Sequence, residues 1–276
     1  MKKESIKKLV RESYGRIATQ STSCCTPGAS CCGNAAPEKI SRNIGYTKNH
    51  LKRIPKEANL GLGCGNPVAF ATLKKGETVL DLGSGAGIDC FLAADRVGEK
   101  GKVIGVDMTP EMIDRAMKNV LKSKYRNIKF LLGEIENLPV ADNSIDAVIS
   151  NCVINLVPDK VKAFKEIFRV LKPGGRLLIS DIVLRKELPG PIKQSIEAYV
   201  GCVSGALLKT KYLDVINEAG FEKVKVLNKT VFPVEFLITD PNVKALIDNS
   251  GITVKELKNL GSSVLSIKVY GAKPKA

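Results

Sequence analysis

The sequence predicts an α/β fold with a doubly wound, mostly parallel seven-stranded sheet, preceded by a helical N-terminal extension. From Glu77 onward, short apolar runs alternate with runs of helical spacing, a pattern typical of a parallel sheet covered on both faces. The apolar run 79–82 leads through a glycine turn directly into a helical pattern from Ile88. With 276 residues and 44% hydrophobic content, the chain is large enough for a domain of this kind.

The alternating region defines the expected elements. Strands are expected near residues 78–82, 102–107, 127–132, 145–150, 175–184, 222–231 and 262–273. Helices are expected near residues 87–97, 110–124, 160–171, 191–207 and 210–219. The chain then divides into an N-terminal helical, cysteine-rich extension over residues 1–74 and a main domain over 75–276, with an acceptor-site insertion near 185–220.

The N-terminal extension has three parts. Residues 4–19 place their apolar side chains at helical spacing and predict an amphipathic helix. Residues 20–37 are rich in small residues, proline and cysteine without any period, which predicts a mobile loop. Residues 38–62 are expected to form short helices interrupted at Pro55, and residues 67–73 to form one further short helix.

Charge and composition limit the partners of this chain. Its net charge of +15 and pI near 9.4 favour anionic partners. Aromatic residues make up only 5% and tryptophan is absent, so a base-stacking surface is poorly supplied and nucleic acid is not expected. No apolar run approaches the roughly 20 residues of a membrane helix, and the first residues lack an apolar signal core. We expect a cytoplasmic monomer that acts on a small molecule.

The glycine turn predicts a site for a nucleotide-like ligand. Its spacing is GxGxG, whereas a dinucleotide pyrophosphate is typically bound by GxGxxG. Asp107 ends the second strand, where a carboxylate accepts both ribose hydroxyls. Met108 is expected to pack on an adenine ring, and the Glu134–Ile135 loop to hold its amino group and its ring. The predicted cofactor-binding residues are Asp81, Gly83, Ser84, Gly85, Asp107, Met108, Glu134, Ile135 and Asn151.

These elements together resemble the class I S-adenosylmethionine-dependent methyltransferases. The glycine loop, the acid at Asp107, the loop at Glu134 and the turn over residues 171–175, LKPGG, carry the resemblance. It implies a Rossmann-like fold and S-adenosyl-L-methionine as cofactor, since a ligand without phosphate tolerates the GxGxG spacing. Nucleic-acid amino methyltransferases usually carry a DPPY- or NPPY-like run after the fourth strand, and residues 151–156 are NCVINL instead.

The cysteines predict the acceptor chemistry. Cys64 lies in a glycine turn before the first strand, Cys152 follows the fourth strand, and Cys202 follows the fifth. A single cysteine in such a place is most often a small buried hydrophobe, as we expect for Cys90 in the first core helix. Three thiols from separate segments can converge at one edge of the sheet, and for Cys64 and Cys152 we favour a chemical role. Four more form two CC pairs: Cys24, Cys25, Cys31 and Cys32.

Four runs resemble the arsenite S-adenosylmethionine methyltransferases closely: residues 59–67, NLGLGCGNP; 81–90, DLGSGAGIDC; 151–160, NCVINLVPDK; and 201–206, GCVSGA. The resemblance implies that Cys64, Cys152 and Cys202 bind trivalent arsenic during catalysis, and that methylation serves arsenic detoxification. It also implies a fourth functional thiol, for capture or exchange, at Cys31 or Cys32. The chain departs from many relatives at Leu62, where they carry an aromatic residue.

The implied chemistry agrees with the residue types. Arsenic(III) is soft, and thiolates are the soft ligands that a protein offers. Three thiolates leave a pyramidal arsenic with a free lone pair, which attacks the sulfonium methyl without a general base. Methylation formally oxidises arsenic, so a thiol reductant of the thioredoxin or glutathione type is an expected partner.

The sequence is also compatible with other functions. A methyltransferase for a small organic acceptor, such as a quinone precursor, fits the donor motifs equally well. A non-enzymatic soft-metal sensor or nucleic-acid-binding protein fits the net charge of +15 and the CC pairs. The CC-x5-CC run departs from the C-x2-4-C spacing of zinc sites, so metalloid capture and a dispensable tail are its main alternatives.

Overall fold

The structure of the chain is a computed structural model. It describes residues 3–19, 37–188, 190–193, 199, 202–231 and 263–275. The strands are β1 Thr78–Leu82, β2 Lys102–Asp107, β3 Ile128–Leu132, β4 Ile145–Asn151, β5 Leu171–Leu184, β6 Glu222–Val231 and β7 Val264–Ala272. The helices are α1 Lys3–Thr19, α2 Pro37–Asn43, α3 Lys48–Lys52, α4 Ile88–Val97, α5 Pro110–Leu121, α6 Lys160–Val170, α7 Gly190–Lys193 and α8 Lys209–Glu218.

All seven strands form one sheet in the order β3-β2-β1-β4-β5-β7-β6. The strands β1 to β5 run parallel to one another, and β7 is antiparallel to both β5 and β6. The strand order reverses between β1 and β4, and in an open α/β sheet ligands bind beyond the carboxyl ends at such a switch point. The doubly wound, mostly parallel sheet predicted from the sequence is therefore confirmed.

Apolar side chains cover both faces of the sheet. On one face, α6 and α8 bury Phe164, Ile167 and Tyr212 against β4 and β5. On the other face, α4 and α5 bury Phe91 and Ile113 against β1 and β2. Strands buried on both faces are near-continuous apolar runs, which is why β1 and β4 were recognisable in the sequence.

The helix α1 lies across the carboxyl end of the sheet. Its apolar side packs Val10 with Cys64 and Cys152, and packs Ala18 with Met112 of α5. The apolar face of this amphipathic helix thus covers the end of the domain at the switch point.

Two predicted helices differ from the structure. Residues 67–73 form a turn rather than a helix, because Thr72 adopts a positive φ of 42° and the Asn66 side chain accepts from Ala69 N. The helix expected over 191–207 is wrong at its end, since residues 202–207 form a turn in which Cys202 has a φ of 64°. The division at residues 74 and 75 and the insertion near 185–220 remain predictions.

Candidate active site

Three thiols meet beyond the carboxyl ends of β1, β4 and β5. Cys64, Cys152 and Cys202 are 5%, 9% and 4% exposed and belong to one buried cluster. Cys152 directly follows β4 at a positive φ of 61°, a turn that directs the chain away from the sheet. The Cys202 thiol donates a hydrogen bond to the Cys152 carbonyl at 2.9 Å. Thiols from three segments far apart in sequence therefore share one water-poor pocket.

The pocket keeps Cys152 protonated at neutral pH. Hydrogen bonds with the thiols of Cys202 and Cys64, together with burial, raise the pKa of Cys152 well above its ordinary range. A thiol of this kind is not a preformed thiolate, and it loses its proton when an electrophile binds the sulfur. The arrangement suits the capture of a thiophilic species rather than nucleophilic attack by a free thiolate.

Asn151, the last residue of β4, fixes the turn that carries Cys64. Its Oδ1 accepts from Cys64 N at 3.0 Å, and its Nδ2 donates to Gly65 O at 2.7 Å. The same Nδ2 donates to the Tyr46 hydroxyl at 2.9 Å, which in turn donates to Asp89 at 2.8 Å. The side chain therefore ties the Cys64 backbone to the rim of the sheet on both sides of the thiol.

The glycine loop offers a cradle beside this pocket. Gly85 has a φ of 52°, and among the described residues the atom nearest to an added Cβ is Met112 Sδ at 3.9 Å. Gly85 N donates to Asp107 Oδ2 at 2.9 Å, and burial raises the pKa of that carboxyl. Ser84 Oγ is buried without a hydrogen-bond partner among the described residues. Open space, an unpartnered hydroxyl and a buried acid at the end of β2 fit S-adenosylmethionine.

The predicted adenine end of this site is covered by α1. Glu134 Oε2 accepts from Lys7 at 2.7 Å, and Glu134 Oε1 lies 3.4 Å from Arg11. Lys7 also pairs with the buried Glu136 at 2.5 Å. Burial lowers the pKa of Lys7, but its bonds to the two acids outweigh burial and raise that pKa overall. Three charged contacts thus hold α1 over the loop after β3.

Residues 73–220 match a family model described as a methyltransferase domain. This chain belongs to the methyltransferase family. The fold found here, with a switch point between β1 and β4 and the glycine loop after β1, agrees with that membership.

Two relatives and one solved structure extend the comparison. The methyltransferase chain is 47% identical over 233 residues to an arsenite methyltransferase of Halobacterium salinarum, covering 82% of this chain and 60% of that protein. It is 35% identical over 220 residues to an arsenite methyltransferase of Aquipseudomonas alcaligenes, covering 77% of this chain and 61% of that protein. The chain thus spans about three fifths of the length of these relatives.

The solved structure is the crystal structure of an arsenic(III) S-adenosylmethionine methyltransferase from Chlamydomonas reinhardtii. It is similar with a TM-score of 0.62 and 29% identity, covering 86% of this chain and 74% of that chain. The resemblance to the arsenite methyltransferases, drawn above from the cysteine-bearing runs, is confirmed at the level of overall sequence similarity.

The residues predicted to bind the methyl donor do not all lie at one site in the methyltransferase chain. Gly83, Ser84, Gly85 and Asp107 lie together, because Gly83 N and Ser84 N both donate to Val106 O. Met108 packs in the cluster of the three thiols and Ile135 is buried beneath α6, while Glu134 faces α1. Asp81 is buried and accepts from the Cys90 thiol at 3.2 Å, and Asn151 is engaged with the Cys64 turn.

The remaining cysteines separate into two groups. Cys90 is fully buried in α4, as expected of a core residue. Cys24, Cys25, Cys31 and Cys32 lie outside the described residues, so the fourth functional thiol stays a prediction. Among the described helices, none combines the length and the apolar character needed to cross a membrane.

Two residues of the pocket escaped the sequence analysis. Asp181 is fully buried in β5, with a carboxylate oxygen within 4.8 Å of the sulfur atoms of Cys64 and Cys152. Burial lowers the pKa of Lys160, the first residue of α6, and the negative charges of Asp181 and Cys202 act against that effect. A signal for Asp181 existed, because Ser180 and Asp181 interrupt the otherwise apolar stretch 177–184 in the carboxyl-terminal half of β5.

Proposed function

We propose that this chain transfers a methyl group from S-adenosyl-L-methionine to trivalent arsenic bound by Cys64, Cys152 and Cys202. The observation that carries the proposal is the convergence of these three buried thiols beside the glycine loop at one switch point. The similarity to proteins named arsenite methyltransferases supports the identity of the acceptor.

The residues supply positioning and exclude water. Three thiolates are the soft ligands that arsenic(III) prefers, and three sulfur bonds leave its lone pair free. When bound, S-adenosyl-L-methionine supplies a methyl group activated by a positively charged sulfur. An arsenic lone pair carries no proton, so the transfer requires no general base, and a held geometry supplies several kcal/mol of the rate enhancement.

The electron balance requires a reductant. Transfer of a methyl cation to the lone pair raises arsenic from the trivalent to the pentavalent state, so two electrons must return before the next transfer. Two thiols that close to a disulfide supply those electrons and two protons. A thiol reductant of the thioredoxin or glutathione type then reduces the disulfide, and Cys31 or Cys32 is our candidate for the N-terminal thiol of that exchange.

The test is a product assay with the full chain, arsenite, S-adenosyl-L-methionine and a dithiol reductant, with methylated arsenicals separated by chromatography. We expect products from the unmodified chain and a loss of at least about 100-fold for Cys152→Ser, since a missing ligand removes the held geometry. Binding of S-adenosyl-L-methionine by the same variant, measured by calorimetry, should persist and thereby report an intact fold.

Single Cys64→Ser and Cys202→Ser variants extend this assay, and Cys90→Ala is the matched control for arsenite binding because Cys90 lies in the core of α4. An organic-acceptor methyltransferase would keep its turnover in all these variants and would not bind arsenite tightly. A soft-metal sensor would bind arsenite without consuming S-adenosyl-L-methionine. Either result contradicts the proposal.

A further inference from the structure

A carboxylate completes the thiol pocket. Asp181 is fully buried, and one of its oxygens lies within 4.8 Å of both Cys64 Sγ and Cys152 Sγ. Its Oδ1 accepts from Asn155 Nδ2 and from Ile182 N, both at 2.9 Å. Its Oδ2 accepts from the Tyr212 hydroxyl at 3.0 Å. The carboxylate is thus oriented by three donors, and Oδ2 keeps a lone pair beyond the one that Tyr212 uses.

Arsenic(III) does not account for this carboxylate. Three sulfur ligands complete the coordination of arsenic(III), and a hard carboxylate oxygen is not a ligand that this soft ion prefers. Sulfur ligands combined with a carboxylate oxygen, itself held by outer hydrogen bonds, are instead the donor set of a tetrahedral zinc-type site. The outer donors Asn155, Ile182 and Tyr212 correspond to such a supporting shell.

We propose that Cys64, Cys152, Cys202 and Asp181 together form a tetrahedral site for a divalent cation of the zinc and cadmium class. Occupation of this site excludes arsenite, because the cation takes the same three sulfurs. The site would therefore make the chain sensitive to thiophilic divalent cations at the position where the acceptor binds.

The geometry is within reach of such coordination. Metal–sulfur bonds of about 2.3 Å place the sulfurs of a tetrahedral site about 3.8 Å apart. The ligand atoms of Cys64, Cys152 and Asp181 lie within 4.8 Å of one another, so a closure of roughly 1 Å by side-chain rotation suffices for these three ligands. The Cys202 thiol donates a hydrogen bond to the Cys152 carbonyl at 2.9 Å, and it would have to leave this bond and turn toward the other three ligands to become the fourth donor.

Two lysines beside the pocket balance the negative charge that the four ligands leave around a divalent cation. Three thiolates and one carboxylate exceed the charge of a divalent ion by two negative units. Lys160 is attracted to Asp181 and Cys202, and Lys268 is attracted to Cys64. These two ammonium groups offset the excess charge in a buried environment, where unpaired charges are costly.

The experiment titrates the reduced full chain with Co²⁺ and Cd²⁺. All four N-terminal cysteines, which would bind either ion, are replaced by serine in a parallel full-length variant. We expect one Co²⁺ per chain with the visible absorption of a tetrahedral ion, and cadmium-113 NMR should report three sulfurs and one oxygen. Asp181→Asn should weaken Cd²⁺ binding by at least about tenfold, while Asp114→Asn, exposed on α5, should leave it unchanged.

The result that would overturn the proposal is a spectrum with sulfur ligands only, or a Cd²⁺ affinity that Asp181→Asn does not change. If Asp181→Asn fails to fold, the cadmium-113 NMR spectrum of the chain with its intact pocket still decides between three sulfurs with one oxygen and sulfur ligands only. Absence of any stoichiometric Co²⁺ or Cd²⁺ binding to the variant that lacks the N-terminal cysteines would also overturn it.

A second arm measures whether Cd²⁺ displaces arsenite, and this arm alone rests on the proposed function. Cadmium binding with no arsenite binding would leave the cation site standing and contradict the arsenite acceptor. Arsenite binding that Cd²⁺ does not reduce would contradict the shared sulfurs and leave the acceptor standing. Loss of both ligands in Cys152→Ser is the expected common outcome.

Discussion

Replacement of Asn151 by alanine tests how the sheet holds the Cys64 turn. The substitution removes the bonds from Asn151 to Cys64 N at 3.0 Å, Gly65 O at 2.7 Å and the Tyr46 hydroxyl at 2.9 Å. A typical hydrogen bond contributes about 1 kcal/mol net, and a buried group left unpaired costs more. We therefore expect the free energy of unfolding to fall by about 3 kcal/mol.

The assay combines urea denaturation with the reaction rate of individual thiols, identified by peptide mass spectrometry after brief alkylation. Asn151→Ala should make Cys64 react faster, because its backbone is no longer fixed, while Cys90 in the core of α4 should keep its rate. Arsenite affinity should fall with the displacement of Cys64, whereas the affinity for S-adenosyl-L-methionine should change less.

The matched control is Asn137→Ala, at an exposed position whose backbone pairs with Glu134. It should change the free energy of unfolding by less than about 0.5 kcal/mol, the usual effect of a surface substitution. If Asn151→Ala changes stability as little as this control and leaves the alkylation rate of Cys64 unchanged, the Asn151 side chain does not hold the Cys64 turn.

Three further predictions concern pH, charge and the glycine loop. Burial raises the pKa of Asp89 to about 6 from its usual 3.8. The folded chain therefore holds this proton more tightly than the unfolded chain, and the free energy of unfolding should fall by about 3 kcal/mol as pH rises from about 4 to about 6. Asp89→Asn should flatten this fall when denaturation is measured across that pH range. Lys7→Met should remove the ion pair of the buried Glu136, leaving it only the hydrogen bond from Asp159 N, and should speed limited proteolysis within α1. Gly85→Ala should place a methyl group in the open space above the loop and block S-adenosyl-L-methionine binding in calorimetry. Both Gly85→Ala and the control Gly76→Ala should lose about 1–2 kcal/mol of stability, because both glycines have a positive φ, but Gly76→Ala should leave that binding unchanged.

Each of these predictions has an outcome that contradicts it. Asp114→Asn, at an exposed position, should keep the pH slope of the unmodified chain, and an equal slope in Asp89→Asn would refute the assigned pKa. Proteolysis of α1 at an unchanged rate in Lys7→Met would mean that the ion pairs do not hold the helix. Undiminished binding of S-adenosyl-L-methionine by Gly85→Ala would place the ligand away from the open space above Gly85.

The sequence alone determined the sheet, the glycine turn and the identity of the three thiols. Apolar runs and their period reflect burial of each strand on its own faces, so β1 and β2 were predicted at their observed bounds. The glycine spacing is likewise a local pattern, and the softness of a thiol is a property of the residue type alone. The turn over 67–73 was missed because side-chain contacts and one positive φ override helix propensity there.

Only the tertiary structure decided how the site is assembled. Asn151 contacts Cys64 across 87 positions of sequence, and Lys7 contacts Glu134 across 127. No local period encodes such pairs, since they depend on the strand order that brings the ends of β1, β4 and β5 together. By sequence, Asp181 is one of two polar residues in the otherwise apolar stretch 177–184, and its place within 4.8 Å of two thiols follows from the strand order.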